Sequence, residues 1–451
     1  MSKKLEFIND DYAIVGDIII NMATPEPAVP MDSPRPKESG SSEIALWGEQ
    51  NDFPQQVIEK VEVDTELGAL LDWKSTLLQG KEVIAVQEVW NENKKDFDVQ
   101  RINDQEINDY LASIPFNLYW REACTDFTWF RNVFPDMIKS KDGKSIATLS
   151  CHHASWTRLC KMDNTGTVRK AYVSANWPEA KPDDGYTKKH TVVDPYASDV
   201  VESTKKNTAL KRFIYPISYP SPGKAYYPLA PWVAFIFSDW YQIKNKIPKW
   251  KLRFMERILS AGKILSIPIN YWKSIHKDWD TLTKEQKSKI KSDKVKEISE
   301  KLTGLEGVGA TILSEVGIDD QGKDLPALKI ESIESGFEGG EHLEDSQEAS
   351  QHCMRSLSVD PTLVGNGPGR GKDAGSGSDK RIAMNIATAV LSPFRNVILQ
   401  PVYFKAKYDG WTERIENLRF IVREVDLGTL DNGPTSKVSN PVTAKPLPDA
   451  N

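Results

Sequence analysis

An α+β protein with more than one compact unit is predicted by three observations. Apolar residues recur at helical spacing in several separate segments, short β-branched and aromatic runs bounded by turn residues fall between them, and proline-rich stretches punctuate both. At roughly 150 residues per domain, 451 residues make two to four units and allow a large buried core.

The elements follow in order. Residues 23–42, rich in Pro, Ser and Glu, predict a flexible arm. Leu67, Leu70, Leu71, Leu77 and Leu78 keep helical spacing, Gly80 supplies a stop, and residues 82–89 then read as a strand. A second helix is expected over residues 117–134. Its rings Trp120, Phe127, Trp129 and Phe130, at helical spacing, belong to a core or subunit interface rather than to a platform for single-stranded bases. Between Ser145 and Trp177 short strands surround the turn Met162-Asp163-Asn164-Thr165-Gly166, whose Asn and Gly suit a tight hairpin. Residues 216–231 carry Pro216, Pro220, Pro222, Pro228 and Pro231 and mark a boundary.

Helix dominates afterwards. Pro248 suits the first position of a helix whose Trp250, Phe254, Met255, Ile258 and Leu259 form one face and Lys249, Arg253, Glu256 and Arg257 the other. The basic stretch 244–263 has two readings, contact with DNA or an acidic partner, or the solvated face of an amphipathic helix. A small α/β insert follows, with strands at 263–270, 310–315 and 327–333 around a charged helix at 284–302. Residues 336–357 make a polar helix with acids Glu338, Glu341, Glu344, Asp345 and Glu348. Ser378 or Asp379 caps a helix on which Ile382, Ala383, Ile386, Ala387 and Val390 share a face, with a kink at Pro393. Residues 428–451 read as a flexible tail.

Composition narrows the function classes. A net charge of −6 provides no global basic field, so contact with nucleic acid must be local. Cys124, Cys151, Cys160 and Cys353 are too few and too irregular for a disulfide framework, which points to a reducing cytoplasm. The first 21 residues mix lysines with acids, unlike a signal peptide, and the longest apolar run, residues 230–237, is far short of the roughly 20 residues of a spanning helix, so no membrane contact is expected. Cys151-His152-His153 with Cys160 has no second pair at zinc-finger spacing, and strand alternation sends His152 and His153 to opposite faces, so no metal or cofactor is expected. Ser356 and Ser358 near His352 lack a nucleophile-elbow pattern, and the chain reads as a non-enzyme.

The most informative segment is the loop Ser358 to Arg381, with glycines at 365, 367, 369, 371, 375 and 377 and the cations Arg370, Lys372, Lys380 and Arg381. Glycine loses more backbone entropy on ordering than any other residue, so such a stretch is kept for what it touches, and phosphate is the fitting ligand. A P-loop requires a hydroxyl after Gly-Lys, a glycine five residues earlier and a preceding strand, whereas Gly371-Lys372 is followed by Asp373, Asn366 occupies the earlier position, and residues 358–363 are not an apolar run. Gly369 to Ala374 can be forced onto a dinucleotide fingerprint but also lacks the strand. A nucleotide-binding enzyme using loop 365–377 and a non-DNA structural adaptor remain as alternatives.

The order of elements, with Trp47-Gly48-Glu49-Gln50-Asn51-Asp52-Phe53-Pro54, Trp73-Lys74, Gln79-Gly80, residues 357–381, Leu391-Ser392-Pro393-Phe394-Arg395 and Tyr408-Asp409-Gly410-Trp411, resembles the portal proteins of tailed bacteriophages, of the kind found in phages and prophages of Bacteroidetes-type hosts. The resemblance covers most of residues 47–425. It implies a portal-type fold: an α/β wing over 1–231, a two-helix stem over 232–262 and 336–357, a small α/β clip insert over 263–335, a tunnel loop over 358–380, and a long kinked C-terminal helix with remaining wing and short crown over 381–427. It further implies a homododecameric ring at one capsid vertex of the virion, assembled in the host cytoplasm. That ring passes double-stranded DNA during packaging and ejection without reading its sequence. Partners implied are the terminase large subunit, which supplies the energy, the major capsid and scaffold proteins, and a head-tail adaptor. Arg370, Lys372, Lys380 and Arg381 would touch DNA phosphates. Glu341, Glu344, Asp345 and Glu348 would line the channel and repel DNA, or alternatively only favour the first turns of their helix.

Overall fold

The computed structural model describes residues 5–9, 12–15, 18–21, 43–93, 95–261, 263–266, 272–273, 276, 278–303, 329–332, 343–365 and 377–424. Helices and antiparallel sheets are mixed along the chain, the expected α+β class. There are two compact units, residues 1–242 with 347–451, and residues 243–346.

The first unit begins with an antiparallel meander of β1 (Leu5–Asn9), β2 (Tyr12–Val15) and β3 (Ile18–Asn21). Helix α1 (Phe53–Glu62) starts after Asp52 with Pro54 in its first turn, where a missing N–H costs nothing. Helix α2 (Leu67–Gln79) buries Leu67, Leu70, Leu71 and Leu78 and stops at Gly80, as the leucine spacing predicts. Gly80 has φ +62°, and a Cβ there would collide with Val422 and the Arg423 carbonyl, so only glycine fits. Strand β4 (Glu82–Asn91) then pairs with β5 (Asp96–Arg101) on one side and with β15 (Leu418–Arg423) on the other. Between them in sequence lie α3 (Gln105–Ala112), capped by Asp104, and α4 (Ile114–Phe130), capped by Ser113.

Helix α4 is shorter than the 117–134 expected at its end. Arg131 turns left-handed at φ +58° as the C-cap, and residues 132–134 open β6 (Asn132–Lys139), because Val133, Phe134 and Met137 fill a buried central strand. Trp120, Phe127 and Phe130 are buried, the core role expected of them. β6 pairs with β7 (Ile146–His152) and, on its other edge, with β11 (Arg212–Ile214) and β12 (Ile217–Ser218). The break between β11 and β12 faces Pro135, which has no N–H to donate, although its carbonyl still accepts from Tyr215 N at 2.9 Å.

The predicted hairpin is present: β8 (Thr157–Leu159) and β9 (Lys170–Val173) pair around a turn in which Asp163 accepts from Thr165 N and Thr167 N, and β10 (Lys188–Thr191) completes that sheet. Residues 216–231 are loop apart from β12, and short helices α5 (Val200–Lys206) and α6 (Val233–Ile236) flank them. The first unit continues through them to Gln242.

Helix α7 (Asp239–Ala261) places Pro248 in its interior, not at its first position. Asp239 already provides an acidic first turn nine residues earlier, so the amphipathic pattern extends N-terminally past the proline. Within the second unit, β13 (Lys263–Ser266) pairs antiparallel with β14 (Lys329–Ser332), and α8 (Lys284–Thr303) is the charged helix expected there. Trp272 and Trp279 stack at 5.6 Å with Lys291 over both rings. The expected strand at 310–315 lies outside the described residues.

Polar helix α9 (Leu343–Ser356) buries Ala349, Cys353 and Met354. After α10 (Pro361–Val364), the long α11 (Gly377–Ile398) is followed by α12 (Gln400–Tyr408) and α13 (Trp411–Arg414). Pro393 lies inside α11, and the sharp bend, 43°, comes instead between Ile398 and Gln400. Pro401, in the first turn of α12, is the proline with that position, while Ile398 and Leu399 are buried where the chain turns. No single helix among the described residues is long and apolar enough to cross a membrane.

The segment Trp47 to Pro54 owes its composition to one buried side chain. Arg158 on β8 is fully buried. Its Nε donates to Asn51 Oδ1 at 2.7 Å, Nη2 to Asn51 O at 3.0 Å and to Gln55 Oε1 at 3.2 Å, and Nη1 to Ser155 O and Thr157 O at 3.0 Å each. Trp47 and Trp177 lie against the guanidinium, with ring centroids 5.5 and 5.3 Å away. Burial pulls its pKa down to about 10, which leaves it charged at neutral pH. Asn51 reaches this position with φ +63°, while its Oδ1 also accepts from Trp47 N. Gly48 is required because a Cβ there would lie 2.8 Å from that of Phe53. Trp47 in turn stacks on Tyr227 at 4.3 Å.

Two predictions follow from buried charge. Arg158→Met removes the donor shared by five oxygens, and urea titration should show a loss of about 3 kcal/mol or more; a loss of a few tenths would mean that water replaces the guanidinium. Asp126 in α4 accepts from Ala154 N at 2.8 Å, and burial pushes its pKa up to about 8. The folded chain therefore keeps a proton that the unfolded chain gives up near pH 4, so this group's contribution is complete below that pH and is lost as pH rises through about 8. Asp126→Asn should flatten the fall in urea midpoint between pH 5 and pH 8 and be more stable than wild type at pH 8.

Candidate nucleic-acid interface

The glycine loop is held at both ends. Before it, Leu357 and Val359 are buried, and Asp360 caps α10 by accepting from Thr362 N and Thr362 Oγ1, both at 2.8 Å. Gly365 leaves α10 at φ +95° with open space around its Cβ position. At the far end α11 begins at Gly377, and α10 packs against α11. Lysine 74 adds a tether: its Nζ donates to the Leu357 carbonyl, and burial lowers its pKa to about 8.

Of the four expected phosphate contacts, Arg370 and Lys372 lie outside the described residues. Lys380 is exposed and Arg381 half-buried, both in the first turn and a half of α11. They share that end of the helix with Asp379, whose carboxylate suits the positive end of the helix dipole. Of the four expected channel acids, Glu341 lies outside the described residues. Glu344, Asp345 and Glu348 are exposed on α9, whose Ala349 and Cys353 are buried. Glu344 and Asp345 also occupy the first turn of α9, where the dipole favours them, so both readings of these acids stand on the same geometry.

The apolar face expected on α11 exists, but it points outward. Ile382, Ile386 and Val390, four residues apart, are 56, 61 and 56% exposed, while Ala383 and Leu391 turn inward. The sequence spacing identifies the stripe; that nothing within the described chain covers it could not be read from spacing.

The motif residues of the first unit are packing devices around this helix. Arg395, buried, donates from Nε to Leu78 O at 3.0 Å and from Nη2 to Leu77 O at 2.7 Å, and also pairs with Glu424. Trp120 Nε1 donates to Gln79 O at 3.0 Å, so the last carbonyls of α2 are capped from outside the helix. Phe394 lies 3.9 Å from the Arg131 guanidinium. Asp409 accepts from Ile146 N at 2.8 Å and from Lys405, Tyr408 donates to Gly143 O, and Trp411 donates to Glu106.

The cysteine–histidine cluster does not assemble as spaced. Cys160 Sγ accepts from Lys170 N, Cys151 lies near Asp126, and all four cysteines are free. A cleft of about 430 Å³ is lined by Gln87, Gln100, Arg101, Asp104, Arg414 and Glu416, none of them from the glycine loop.

No protein-family model matches the sequence, and no curated protein matches it. Among solved structures the chain is similar to one from the neck of an empty gene transfer agent (GTA) particle computed with C6 symmetry, at TM-score 0.52 and 13% identity over 88% of each chain. It is similar also to one from the neck of a native GTA particle computed with C12 symmetry, at TM-score 0.53 and 12% identity over 88% of each chain. The chain shares its α+β fold with these chains of the GTA particle neck.

Proposed function

We propose that this chain is a portal-type subunit that assembles into a ring at one vertex of a phage-like capsid and passes double-stranded DNA. The observation that carries the reading is the likeness of fold over 88% of the chain to chains from particle necks computed with C12 and C6 symmetry. Fold alone is an analogy, and two local features support it. The stripe Ile382, Ile386 and Val390 is an apolar helix face that a second copy can cover. At the start of the same helix stand Lys380 and Arg381, at the mouth of a glycine loop that carries Arg370 and Lys372. Such cations take hold of phosphates without reading bases, which is what passage of any sequence requires.

The finer assignment follows the same reading. Residues 243–346, a compact unit inserted between the two parts of the first, supply most of stem and clip, and the first unit supplies the wing. The terminase, capsid and scaffold proteins and the head-tail adaptor are its partners. The chain itself performs no hydrolysis in this scheme.

Negative-stain microscopy of the purified full chain should show rings with a hole of roughly 20 Å or more, given a DNA major groove of about 12 Å. Ile386→Glu puts a charge into the proposed contact and should yield smaller species with an unchanged far-UV spectrum; rings identical to wild type would remove the stripe from the interface. Arg370→Ala with Lys372→Ala should leave rings intact but reduce DNA retention during packaging, and full packaging would end the loop's proposed role.

A further inference from the structure

Three strands of the first unit bring three metal-ligand donors together between two sheets. Asp136 on β6, His152 at the end of β7 and His190 on β10 offer one carboxylate oxygen and two imidazole nitrogens within 4.8 Å of one another. β6 and β7 belong to the sheet that contains β11, whereas β10 belongs to the sheet of β8 and β9. Asp136 is 1% exposed and His190 8%. His152 Nε2 lies 3.8 Å from Asp136 Oδ2, and the two imidazole rings stand 4.9 Å apart at 50°. The Nε2 atoms of His152 and His190 are both buried, and neither has a hydrogen-bond partner among the described residues. A buried polar atom left without a partner is costly, because it has given up its hydration for nothing. Two such nitrogens beside one buried carboxylate lack a partner that is positively charged and accepts lone pairs.

We infer that Asp136, His152 and His190 bind a late first-row divalent cation, zinc foremost, which fastens the two sheets to each other. Two imidazoles and a carboxylate are a donor set that zinc takes, with water or a further oxygen in the fourth position. Zinc–nitrogen bonds of about 2.0–2.1 Å set neighbouring tetrahedral ligands roughly 3.3 Å apart, so donor atoms that lie within 4.8 Å of one another need to draw only slightly closer to hold the ion. Arg212 on β11 now holds the carboxylate, with Nε 2.9 Å from each oxygen of Asp136 and Nη2 2.8 Å from Oδ2. Its side chain is 44% exposed and can yield one oxygen to the metal while keeping the other, which orients the ligating carboxylate. The cysteines at 151 and 160 take no part, so the absence of zinc-finger spacing does not bear on this site.

The test uses the full chain, stripped with chelator and dialysed. Zinc titrated calorimetrically should bind at one equivalent per chain and raise the thermal midpoint, and cobalt in its place should give a tetrahedral visible band. His190→Gln and His152→Gln should each weaken zinc binding roughly ten-fold or more while the far-UV spectrum is unchanged, and Arg212→Met should still bind. No zinc uptake, or uptake that both glutamine variants leave unchanged, would overturn the site. The wild-type cobalt spectrum decides even if a variant fails to fold, because absence of the band sinks the proposal on its own.

Discussion

A guanidinium without a carboxylate partner organises one end of the first unit. Arg158 is fully buried, yet its donors meet carbonyl and amide oxygens and its faces meet two indoles. Desolvating a charge is expensive, and the expense is tolerable only if every donor is satisfied. The chain meets that demand with a shaped turn: glycine at 48 for close approach, asparagine at 51 in the left-handed region, and glutamine at 55 one turn into α1. Each of those residues is intelligible as a response to the buried charge, and α1, β8 and the loop at Tyr227 are placed by it.

A second arginine plays the corresponding part at the other core. Arg395 ends the otherwise open carbonyls of α2 and reaches Glu424 beyond β15, so a long helix, a short helix and a closing strand meet at one side chain. Gly80 follows from this arrangement, since the strand passes so close to the helix end that no side chain fits. Motifs that resemble a family in the sequence are therefore, in this molecule, mostly answers to packing and desolvation rather than ligand contacts.

Much of the architecture was legible. The leucine spacing of α2 with its glycine stop, the Asp163–Gly166 hairpin, the charged helix α8 and the apolar stripe of α11 follow from local periodicity and turn chemistry. The misreadings have two causes. α4 stops at Phe130 because a strand needs the next residues, α7 starts before Pro248 because its amphipathic pattern does, and the chain bends at Leu399 where tertiary contacts bury it. At Phe130 and at Leu399 a local signal was outvoted by longer-range packing, whereas in α7 one local signal, the amphipathic periodicity, overrode another, the proline. The Asp136–His152–His190 cluster was beyond local reading, since strand pairing and sheet contact, not spacing, bring its members together; an aspartate inside the apolar run of β6 was its one trace. The interface residues of loop and acids were chosen by residue type, and the structure places Lys380, Arg381, Glu344, Asp345 and Glu348 on exposed or half-buried helical positions.

The pairing of β15 with β4 also has a consequence for synthesis. Leu418 lies opposite Gln87, so one edge of β4 has no partner until some 330 further residues have left the ribosome. At about 5–20 residues per second that interval is on the order of tens of seconds. During it the nascent chain carries an open strand edge beside the exposed rings of Trp90 and Phe97, a surface on which neighbouring nascent chains can dock wrongly. Completion of this sheet is therefore a late event, timed by translation, and the edge of β4 stays open until the chain's last described strand has paired with it.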